Sequence, residues 1–299
     1  MRLTGLAPAK VNLFLHVGPV APDGYHPLCS LVAFADIGDV VTVEPSDRLS
    51  LDVTGPFAGT LVGSANGAQG DNLILKALRA LGDASGAGEP HLRVTLDKRL
   101  PIAAGLGGGS SDAGTALRLA SRALGLGFDE MALEAVSNVV GADGPMCLRA
   151  RTAWAEGYGE RLTDASWVPP LHAVLVNPGI LSPTGAVYRA YDQAPRAADR
   201  PELSPDTSVR GLIDWLAGCR NDLEQPAVGL APGIEAALAA VAACSDVRLT
   251  RMSGSGATVF GLFDDEWSAR AAATHLAGTH ADWWVTPCIL GDIEASQSE

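Results

Sequence analysis

The sequence predicts an α+β fold divided into two domains, and three observations support this prediction. The 299 residues correspond to about two domains of ordinary size. Short runs typical of strands fill the first third of the chain, and strand-like and helix-like runs alternate in its second half. Apolar residues make up 47% of the chain and charged residues 18%, which excludes a disordered protein.

The N-terminal half is predicted to begin as a hairpin-rich sheet and to continue with helices. Short β-branched or alternating runs predict strands, which lie at Val11–Val17, Leu28–Phe34, Val40–Glu44, Leu49–Val53 and His91–Leu96. Apolar residues at helical spacing behind polar caps predict helices, which lie at Asp71–Leu81 with an end at Gly82, at Ser111–Leu124, and from an Asp129 cap to Val140.

A linker is predicted at Asp164–Pro170, where a tryptophan and two prolines interrupt the pattern. It separates two predicted domains, residues 1–161 and 162–299. The second domain is predicted from elements of both types, with strands at Val174–Val176, Val247–Thr250, Thr258–Phe263 and Val285 and helices at Pro232–Cys244 and Trp267–Leu276. Residues 192–209 are predicted to form a surface loop, and the tail from Asp292 is predicted to fray.

Charge and cysteine usage argue against several classes of function. Thirty-four acidic against twenty-one basic residues leave a net charge of -13, which repels nucleic acids and anionic membranes. The five cysteines are an odd number without the spacing of metal ligands, which is typical of reduced cytoplasmic thiols. No run of eighteen apolar residues and no export signal is visible, so we expect a cytoplasmic protein with no nucleic-acid or membrane partner.

A glycine run at Gly105–Asp112 predicts a phosphate-binding loop. It lacks the dinucleotide fingerprint, because Ser110 or Asp112 falls in the last glycine position, and it lacks the Gly-Lys-Ser/Thr of a P-loop. Small residues that lead directly into a helix let backbone N–H groups surround a polyphosphate. The alternative interpretation of this run is a flexible surface linker. Ser110 and Ser111 are predicted to hold a phosphate oxygen or Mg²⁺, or to cap the helix. Asp112 is predicted to act as a cap, since its charge would repel phosphate.

Four further segments are candidates for a shared site. Lys10 and Asn12 lie two positions apart, so both face one side of an extended strand, although such residues are commonly solvated. The turn Asp23–Pro27 carries an aromatic ring and an imidazole suited to a nucleobase, or is only a hairpin. Asp143 lies in a constrained small-residue loop, and Ser253–Ala257 is a second such loop, which closes over a ligand or only connects two strands. None of the serines in these loops lies at the centre of G-x-S-x-G, which excludes the common hydrolase arrangement.

In this order the segments resemble the GHMP kinase superfamily, which includes galactokinase, homoserine kinase and mevalonate kinase. The resemblance rests on three motifs, Pro8–Asn12, Pro101–Ser111 and Met252–Ala257, and it runs from residue 7 to about residue 263. Within the superfamily, the chain is most similar to the 4-diphosphocytidyl-2-C-methyl-D-erythritol kinase family, because of Asp23–His26 and Gly141–Asp143.

The resemblance implies a fold, a reaction and a set of site residues. The fold is an N-terminal domain similar to the second domain of ribosomal protein S5, a ferredoxin-like C-terminal domain and a site in the cleft between them. The reaction uses ATP and Mg²⁺ to phosphorylate the 2-hydroxyl of a cytidine-diphosphate-linked methylerythritol in the non-mevalonate (MEP) pathway of isoprenoid biosynthesis. Lys10 and Asp143 would be the catalytic pair, and no residue is assigned to the metal. ATP would be bound by Lys98, Pro101, Ala103, Ala104, Gly105, Leu106, Gly107, Gly108, Gly109, Ser110 and Ser111. The small-molecule substrate would be bound by Asn12, Tyr25, His26, Tyr188, Gly254 and Ser255.

Two departures and three alternatives accompany this prediction. Ala103 and Ala104 stand where the family often has glycine. Gly144 stands where the family usually has a branched apolar residue, which leaves the orientation of Asp143 open. The alternatives are another GHMP kinase acting on mevalonate or homoserine, a catalytically inactive relative, and a nonenzymatic RNA-binding protein with the S5-like fold.

Overall fold

One mixed β-sheet of ten strands runs through the part of the chain that the computed structural model describes, residues 1–62, 72–203 and 206–292. The strands are β1 (Leu3–Val17), β2 (Leu28–Pro45), β3 (Ser50–Thr54), β4 (Leu92–Asp97), β5 (Ala153–Gly157), β6 (Arg161–Asp164), β7 (Leu171–Asn177), β8 (Val247–Met252), β9 (Val259–Phe263) and β10 (Trp284–Gly291). Their order is β3-β4-β2-β10-β7-β9-β8, while β1 and β5 also pair with β2, and β6 pairs with β5. Asp71, residues 204–205 of the predicted surface loop and the tail after Asp292 lie outside the described residues.

Helices cover the sheet in both halves of the chain. They are α1 (Ala58–Val62), α2 (Leu73–Ser85), α3 (Gly108–Leu124), α4 (Glu130–Ser137), α5 (Gly144–Arg149), α6 (Thr184–Tyr191), α7 (Val209–Ala217), α8 (Glu224–Leu230), α9 (Gly233–Ala242) and α10 (Glu266–Thr279). A 3-10 turn at Asn138–Val140 follows α4. In the described ranges, no helix combines the length and the apolar character needed to cross a bilayer.

The prediction of separate strands at Leu28–Phe34 and Val40–Glu44 is wrong, because both belong to the single strand β2. The intervening Asp-Ile-Gly-Asp resembles a turn in sequence, but it lies in the interior of the sheet. A Cβ on Gly38 would lie 2.0 Å from the carbonyl oxygen of Ala7, so glycine is needed for the close approach of β1. The carboxylate of Asp39 is fully buried and accepts hydrogen bonds from the backbone N–H groups that follow β4.

Several predicted helix ends are also shifted. Asn72 caps α2 by accepting a hydrogen bond from the N–H of Ile74, and the helix continues through Gly82 to a left-handed cap at Gly86. Gly82 is required inside the helix because a Cβ there would lie 2.0 Å from the carbonyl oxygen of Gly88. The helix predicted from Ser111 begins at Gly108, so the end of the glycine run is already helical.

The C-terminal half contains the predicted alternation of strands and helices. β7, α9, β8, β9, α10 and β10 occur in this order along the chain, with α6 to α8 inserted between β7 and α9. In the sheet, β7 and β9 lie in the centre and β10 and β8 outside. All three pairings are antiparallel, and this β-α-β-β-α-β order is that of a ferredoxin-like unit. The sequence patterns did not predict α5 to α8, β5 or β6, which have four to nine residues each and therefore carry little periodic signal.

The two halves of the chain share one sheet. β10 returns to the N-terminal half and pairs with β2 through Leu290 and Ala35 and through Gly291 and Phe34. Buried side chains from both halves also form one hydrophobic cluster. The cleft residues are therefore held on a continuous scaffold, and the boundary between residues 161 and 162 stays a prediction.

Gly114→Ala is expected to lower the free energy of unfolding by about 1 to 3 kcal/mol, because overpacked interiors are destabilised by that amount. The added Cβ would lie 2.9 Å from the backbone of Leu148 and force α3 away from α5. Denaturant unfolding measures the change. The control is Gly278→Ala in α10, where the Cβ would meet nothing within 4 Å and alanine should stabilise the helix by up to about 1 kcal/mol. Equal effects at both positions would contradict the close packing of α3 on α5.

Candidate active site

A cavity of about 530 Å³ lies where β1, the glycine run, α5, α6 and the loop between β8 and β9 meet. Most of the predicted site residues line it, namely Lys10, Asn12, Lys98, Pro101, Ala103, Ala104, Gly105, Leu106, Gly107, Gly108, Gly109, Ser110, Asp143, Tyr188, Gly254 and Ser255. Three predicted site residues lie outside this lining. Ser111 is fully buried beneath the loop, His26 is packed against α6, and Tyr25 is 64% exposed.

Lys10 and Asn12 lie on β1 between two irregularities in its pairing with β2. The register shifts between Pro8 and Lys10 and again between Asn12 and Phe14. Such bulges re-aim side chains next to active sites, and both residues reach the same cavity. The predicted placement of the two side chains on one side of the strand is therefore confirmed.

The ammonium of Lys10 lies beside the carboxylate of Asp143. Lys10 Nζ donates to Asp143 Oδ2 at 3.3 Å, across 133 residues of sequence. The side chain of Lys10 is only 9% exposed, whereas that of Asp143 is 41% exposed. The pair thus presents a carboxylate to the open side of the cavity and keeps the ammonium at its wall.

The path of the chain after α4 requires a glycine at position 144. A Cβ on Gly144 would lie 2.2 Å from the carbonyl oxygen of Ser137, so a branched residue does not fit here. The glycine lets α5 begin directly after Asp143 and against the 3-10 turn. The departure from the family pattern therefore leaves Asp143 within hydrogen-bonding distance of Lys10.

The glycine run winds around the N-terminus of α3. Gly105 and Gly107 have φ angles of +74° and +62°, which favour glycine, and Ala103 adopts a φ of +53° where the family often has glycine. Gly107 occupies the N-cap position without a side-chain cap. The first N–H groups of a helix have no partner within it, so those of Gly108 to Ser110 are available to an anion at the positive end of the helix dipole.

The loop between β8 and β9 is hydrogen-bonded to the glycine run. The hydroxyl of Ser253 donates to the carbonyl oxygen of Gly105 at 3.0 Å and accepts from the N–H of Asn12 at 3.2 Å. The N–H of Thr258 donates to the carbonyl oxygen of Ala104 at 3.1 Å. These contacts fix the C-terminal loop against the phosphate-binding loop, which the order of the motifs in the sequence did not reveal.

Lys98 lines the cavity, but its ammonium is held by two buried carboxylates. Lys98 Nζ donates to Asp39 Oδ2 at 2.5 Å and to Asp112 Oδ2 at 2.9 Å. The prediction that Asp112 caps α3 is therefore wrong, because its carboxylate turns inward to Lys98. A Cβ on Gly108 would lie 3.1 Å from Nζ, which places this triad of Lys98, Asp39 and Asp112 directly beneath the loop.

Burial raises the pKa of Asp112 to about 8 from its ordinary value of 3.8. Desolvation is the largest cause, the charge of Lys98 opposes it, and the negative charge of Asp39 adds to it. Lys98 is desolvated as well, but the carboxylates of Asp112 and Asp39 outweigh this effect and raise its pKa. The carboxyl group of Asp112 therefore favours its neutral form at a pH where an exposed aspartate is ionised.

The amide of Asn12 is oriented by Ser30. Asn12 Nδ2 donates to Ser30 Oγ at 2.8 Å, and Ser30 Oγ donates in turn to the carbonyl oxygen of Phe14 at 2.5 Å. Asn12 Oδ1 is buried and has no hydrogen-bond partner among the described residues. Since an amide oxygen only accepts, this atom is available to a hydroxyl group of a bound ligand.

The aromatic residues form two groups beyond the cavity. The rings of Tyr25 and Tyr158 lie 5.7 Å apart, and the hydroxyl of Tyr158 donates to Asp23 at 2.7 Å. The ring of His26 lies 4.8 Å from that of Tyr188. Among these contacts, the sequence pattern indicated Tyr25 and His26, and the family resemblance indicated Tyr188. Tyr158 was not indicated, because the hairpin that carries it was not predicted.

Comparisons with protein families and solved structures point to one group of enzymes. The model described as "GHMP kinases N terminal domain" matches residues 72–150, and "GHMP kinases C terminal" matches residues 209–281. A 4-diphosphocytidyl-2-C-methyl-D-erythritol kinase from Caulobacter vibrioides is 50% identical over 295 residues, which cover 97% of this chain and 100% of that protein. One from Dinoroseobacter shibae is 48% identical over 292 residues, covering 96% and 95%.

Solved structures agree with these relatives. A crystal structure of 4-(cytidine 5'-diphospho)-2C-methyl-D-erythritol kinase has a TM-score of 0.75 and 36% sequence identity, and the match covers 96% of this chain and 99% of that one. A homoserine kinase from Cytophaga hutchinsonii has a TM-score of 0.69 at 15% identity, so it shares the fold alone.

Asp112→Asn is expected to flatten the pH dependence of stability. The folded protein keeps the Asp112 proton up to about pH 8, whereas the unfolded chain loses it near pH 4. The wild-type free energy of unfolding therefore falls as pH rises through this window, by at most about 1.4 kcal/mol per pH unit for one proton.

Denaturant unfolding across this pH range tests the expectation, with Asp83→Asn as the control because Asp83 is exposed on α2. The Asp112→Asn variant should gain stability relative to wild type with rising pH, and the control should run parallel to wild type. Parallel curves for all three proteins would mean that Asp112 is ionised in the folded state.

Proposed function

Because the chain belongs to the 4-diphosphocytidyl-2-C-methyl-D-erythritol kinase family of GHMP kinases, we infer its reaction from that membership and its site roles from the geometry. It is an ATP-dependent kinase that phosphorylates the 2-hydroxyl of 4-(cytidine 5'-diphospho)-2-C-methyl-D-erythritol. The products are the 2-phosphate and ADP, and the reaction belongs to the non-mevalonate pathway of isoprenoid precursor biosynthesis.

The contact between Lys10 and Asp143 beside the phosphate-binding loop is the observation that carries the assignment of the catalytic pair. Their charged groups lie 3.3 Å apart, and a Cβ on Gly107 would lie 3.3 Å from Lys10 Cε. An alcohol oxygen bound between the carboxylate and the loop would face the terminal phosphate of ATP. The alcohol oxygen and the terminal phosphate, which are both needed for transfer, would thus meet at one point of the cavity.

The charged pair suits the transition state of phosphoryl transfer. This transition state is loose, so positioning and charge stabilisation matter more than a strong base. Asp143 orients the 2-hydroxyl and accepts its proton as the bond to phosphorus forms. Lys10 stabilises negative charge on the reacting oxygens, and the N–H groups at the start of α3 hold the phosphates in place.

The residues of the cavity also fit Mg²⁺, which takes oxygen ligands and commonly needs only one or two from the protein. The hydroxyl of Ser110 lines the cavity and would hold the ion together with phosphate oxygens. When bound, Mg²⁺ neutralises charge on the phosphates. Ser111 is buried beneath the loop and is not assigned to the ion.

The remaining polar and aromatic residues are assigned to the rest of the substrate. Asn12 Oδ1, which is buried and unpartnered, would accept a hydrogen bond from a hydroxyl of the methylerythritol. Tyr188 and His26 lie in ring contact and would meet the cytosine, with Tyr25 closing over it from the exposed side. Gly254 and Ser255 line the cavity beside Gly105 and would face the diphosphate.

Two broader features complete the proposal. Residues 1–161 and 162–299 are proposed as the two domains, and each contains one of the two matched GHMP kinase segments. The proposed location is the cytoplasm, because all five cysteines are buried free thiols, as is usual in a reducing compartment.

Substrate preference tests the reaction directly. In an ADP-release assay, the cytidylated substrate should be turned over in preference to mevalonate and homoserine, because Tyr25, His26 and Tyr188 have no role toward substrates without a nucleobase. Preference for either small alcohol would overturn the substrate assignment. Absence of ADP release with all three would favour the inactive relative, and salt-dependent retention on RNA would favour the nonenzymatic alternative.

Lys10→Ala and Asp143→Asn are each expected to lower kcat about 10² to 10⁴-fold, the usual scale for a positioned acid–base group. Steady-state kinetics with the cytidylated substrate measure the effect, and circular dichroism verifies folding. Lys76→Ala and Asp83→Asn, both exposed on α2, are the matched controls and should keep wild-type kcat. A folded Lys10→Ala or Asp143→Asn variant with near-normal kcat would remove that residue from the catalytic pair.

A further inference from the structure

His26 is held by a carboxylate that no sequence motif indicated. His26 Nε2 and Asp192 Oδ1 lie 2.7 Å apart, and their side chains are 8% and 32% exposed. Asp192 is the first residue after α6, four positions beyond Tyr188. The same end of α6 therefore supplies both a ring contact and a hydrogen bond to His26.

The imidazole has little freedom to turn. Tyr188 packs on it at 4.8 Å, and the ring of Tyr191 meets it edge-on at 6.0 Å. Tyr191 is itself anchored, because its hydroxyl donates to the carbonyl oxygen of Val17 and accepts from the N–H of Arg196 at 2.7 Å. The position of the ring is thus set by three residues at the end of one helix.

The contact with Asp192 decides which ring nitrogen carries the proton. A carboxylate only accepts hydrogen bonds, so Nε2 is the N–H that donates to it. In the neutral imidazole, Nδ1 is then left as an acceptor. No described residue donates to Nδ1, which leaves this atom available to a ligand.

We propose that Asp192 is a positioning residue that fixes the tautomer of His26, so that Nδ1 accepts a hydrogen bond from the 4-amino group of cytosine and rejects uracil. This inference rests on the proposed function, because it presumes a cytidylated substrate. Cytosine carries an amino donor at position 4, whereas uracil carries a carbonyl acceptor there. An acceptor that faces another acceptor leaves both without a partner in a desolvated contact, which is how polar sites reject near-isosteres.

Asp192→Asn removes the tautomer preference, because an amide both donates and accepts and can therefore pair with either form of Nε2. The variant is expected to raise KM for the cytidylated substrate about tenfold, with kcat changed less than about threefold, since the reacting groups are untouched. The ratio of kcat/KM for the cytidine substrate to that for its uridine analogue should fall about tenfold or more. KM for ATP should stay at the wild-type value.

The experiment compares wild type, Asp192→Asn, Asp192→Glu and Asp199→Asn with the cytidine substrate and its uridine analogue at one fixed pH. Asp199 is an exposed carboxylate in the same segment and serves as the control. Asp192→Glu keeps an acceptor-only group and should recover much of the discrimination. Nitrogen-15 NMR should report Nε2–H in wild type and a mixture of tautomers in Asp192→Asn.

The ratio of the two specificity constants separates positioning from misfolding. Both substrates are turned over by the same folded fraction, so a loss of folded protein cancels in the ratio. An unchanged ratio in an active Asp192→Asn variant, or an unchanged tautomer, would overturn the inference while leaving the proposed function intact. A wild-type protein that does not phosphorylate the cytidine substrate would instead overturn the proposed function.

Discussion

Lys10 connects three parts of the protein that are far apart in sequence. Its N–H donates to the carbonyl oxygen of Leu106 at 2.8 Å, and its ammonium donates to Asp143 at 3.3 Å. One residue of β1 therefore fixes the phosphate-binding loop with its main chain and the carboxylate before α5 with its side chain. The bulges that flank it let β1 make these contacts while it stays paired with β2. Any shift of β1 would change the distance between the reacting groups.

The net charge of the protein explains why backbone N–H groups, rather than basic side chains, make up so much of the proposed phosphate site. A chain with a net charge of -13 must bind the phosphates of both ATP and its substrate. Two basic residues line the described cavity, Lys10 and Lys98, and the charge of Lys98 is compensated by Asp39 and Asp112. Phosphate binding therefore depends on Lys10, on the N–H groups at the start of α3 and on the helix dipole. The raised pKa of Asp112 favours its neutral form, which limits the negative charge beneath the loop.

The sequence predicted the elements that a local pattern of residues determines. The predictions failed where contacts between distant residues override that pattern. The glycine run and the alternation of β7 to β10 with α9 and α10 carry their own signal. Gly38 and Gly82 look like breaks in the sequence, yet each lies inside an element because a neighbouring carbonyl approaches too closely for a side chain. Asp39, Asp112 and Ser30 were missed or misassigned for a related reason. Their partners lie 14 to 61 residues away, and nothing in the local sequence indicates such pairing.

Helix α6 connects the residues that are proposed to recognise the base with the loop at Ser255. At its start, the hydroxyl groups of Thr184 and Ser255 are hydrogen-bonded at 2.8 Å. The hydroxyl of Ser182 donates to the carbonyl oxygen of Ser255 at 2.6 Å. At its end, Asp192 holds His26. The eight residues of α6 span about 12 Å. Because the loop at Ser255 is hydrogen-bonded to the glycine run, a helix of fixed length sets the distance between that run and His26.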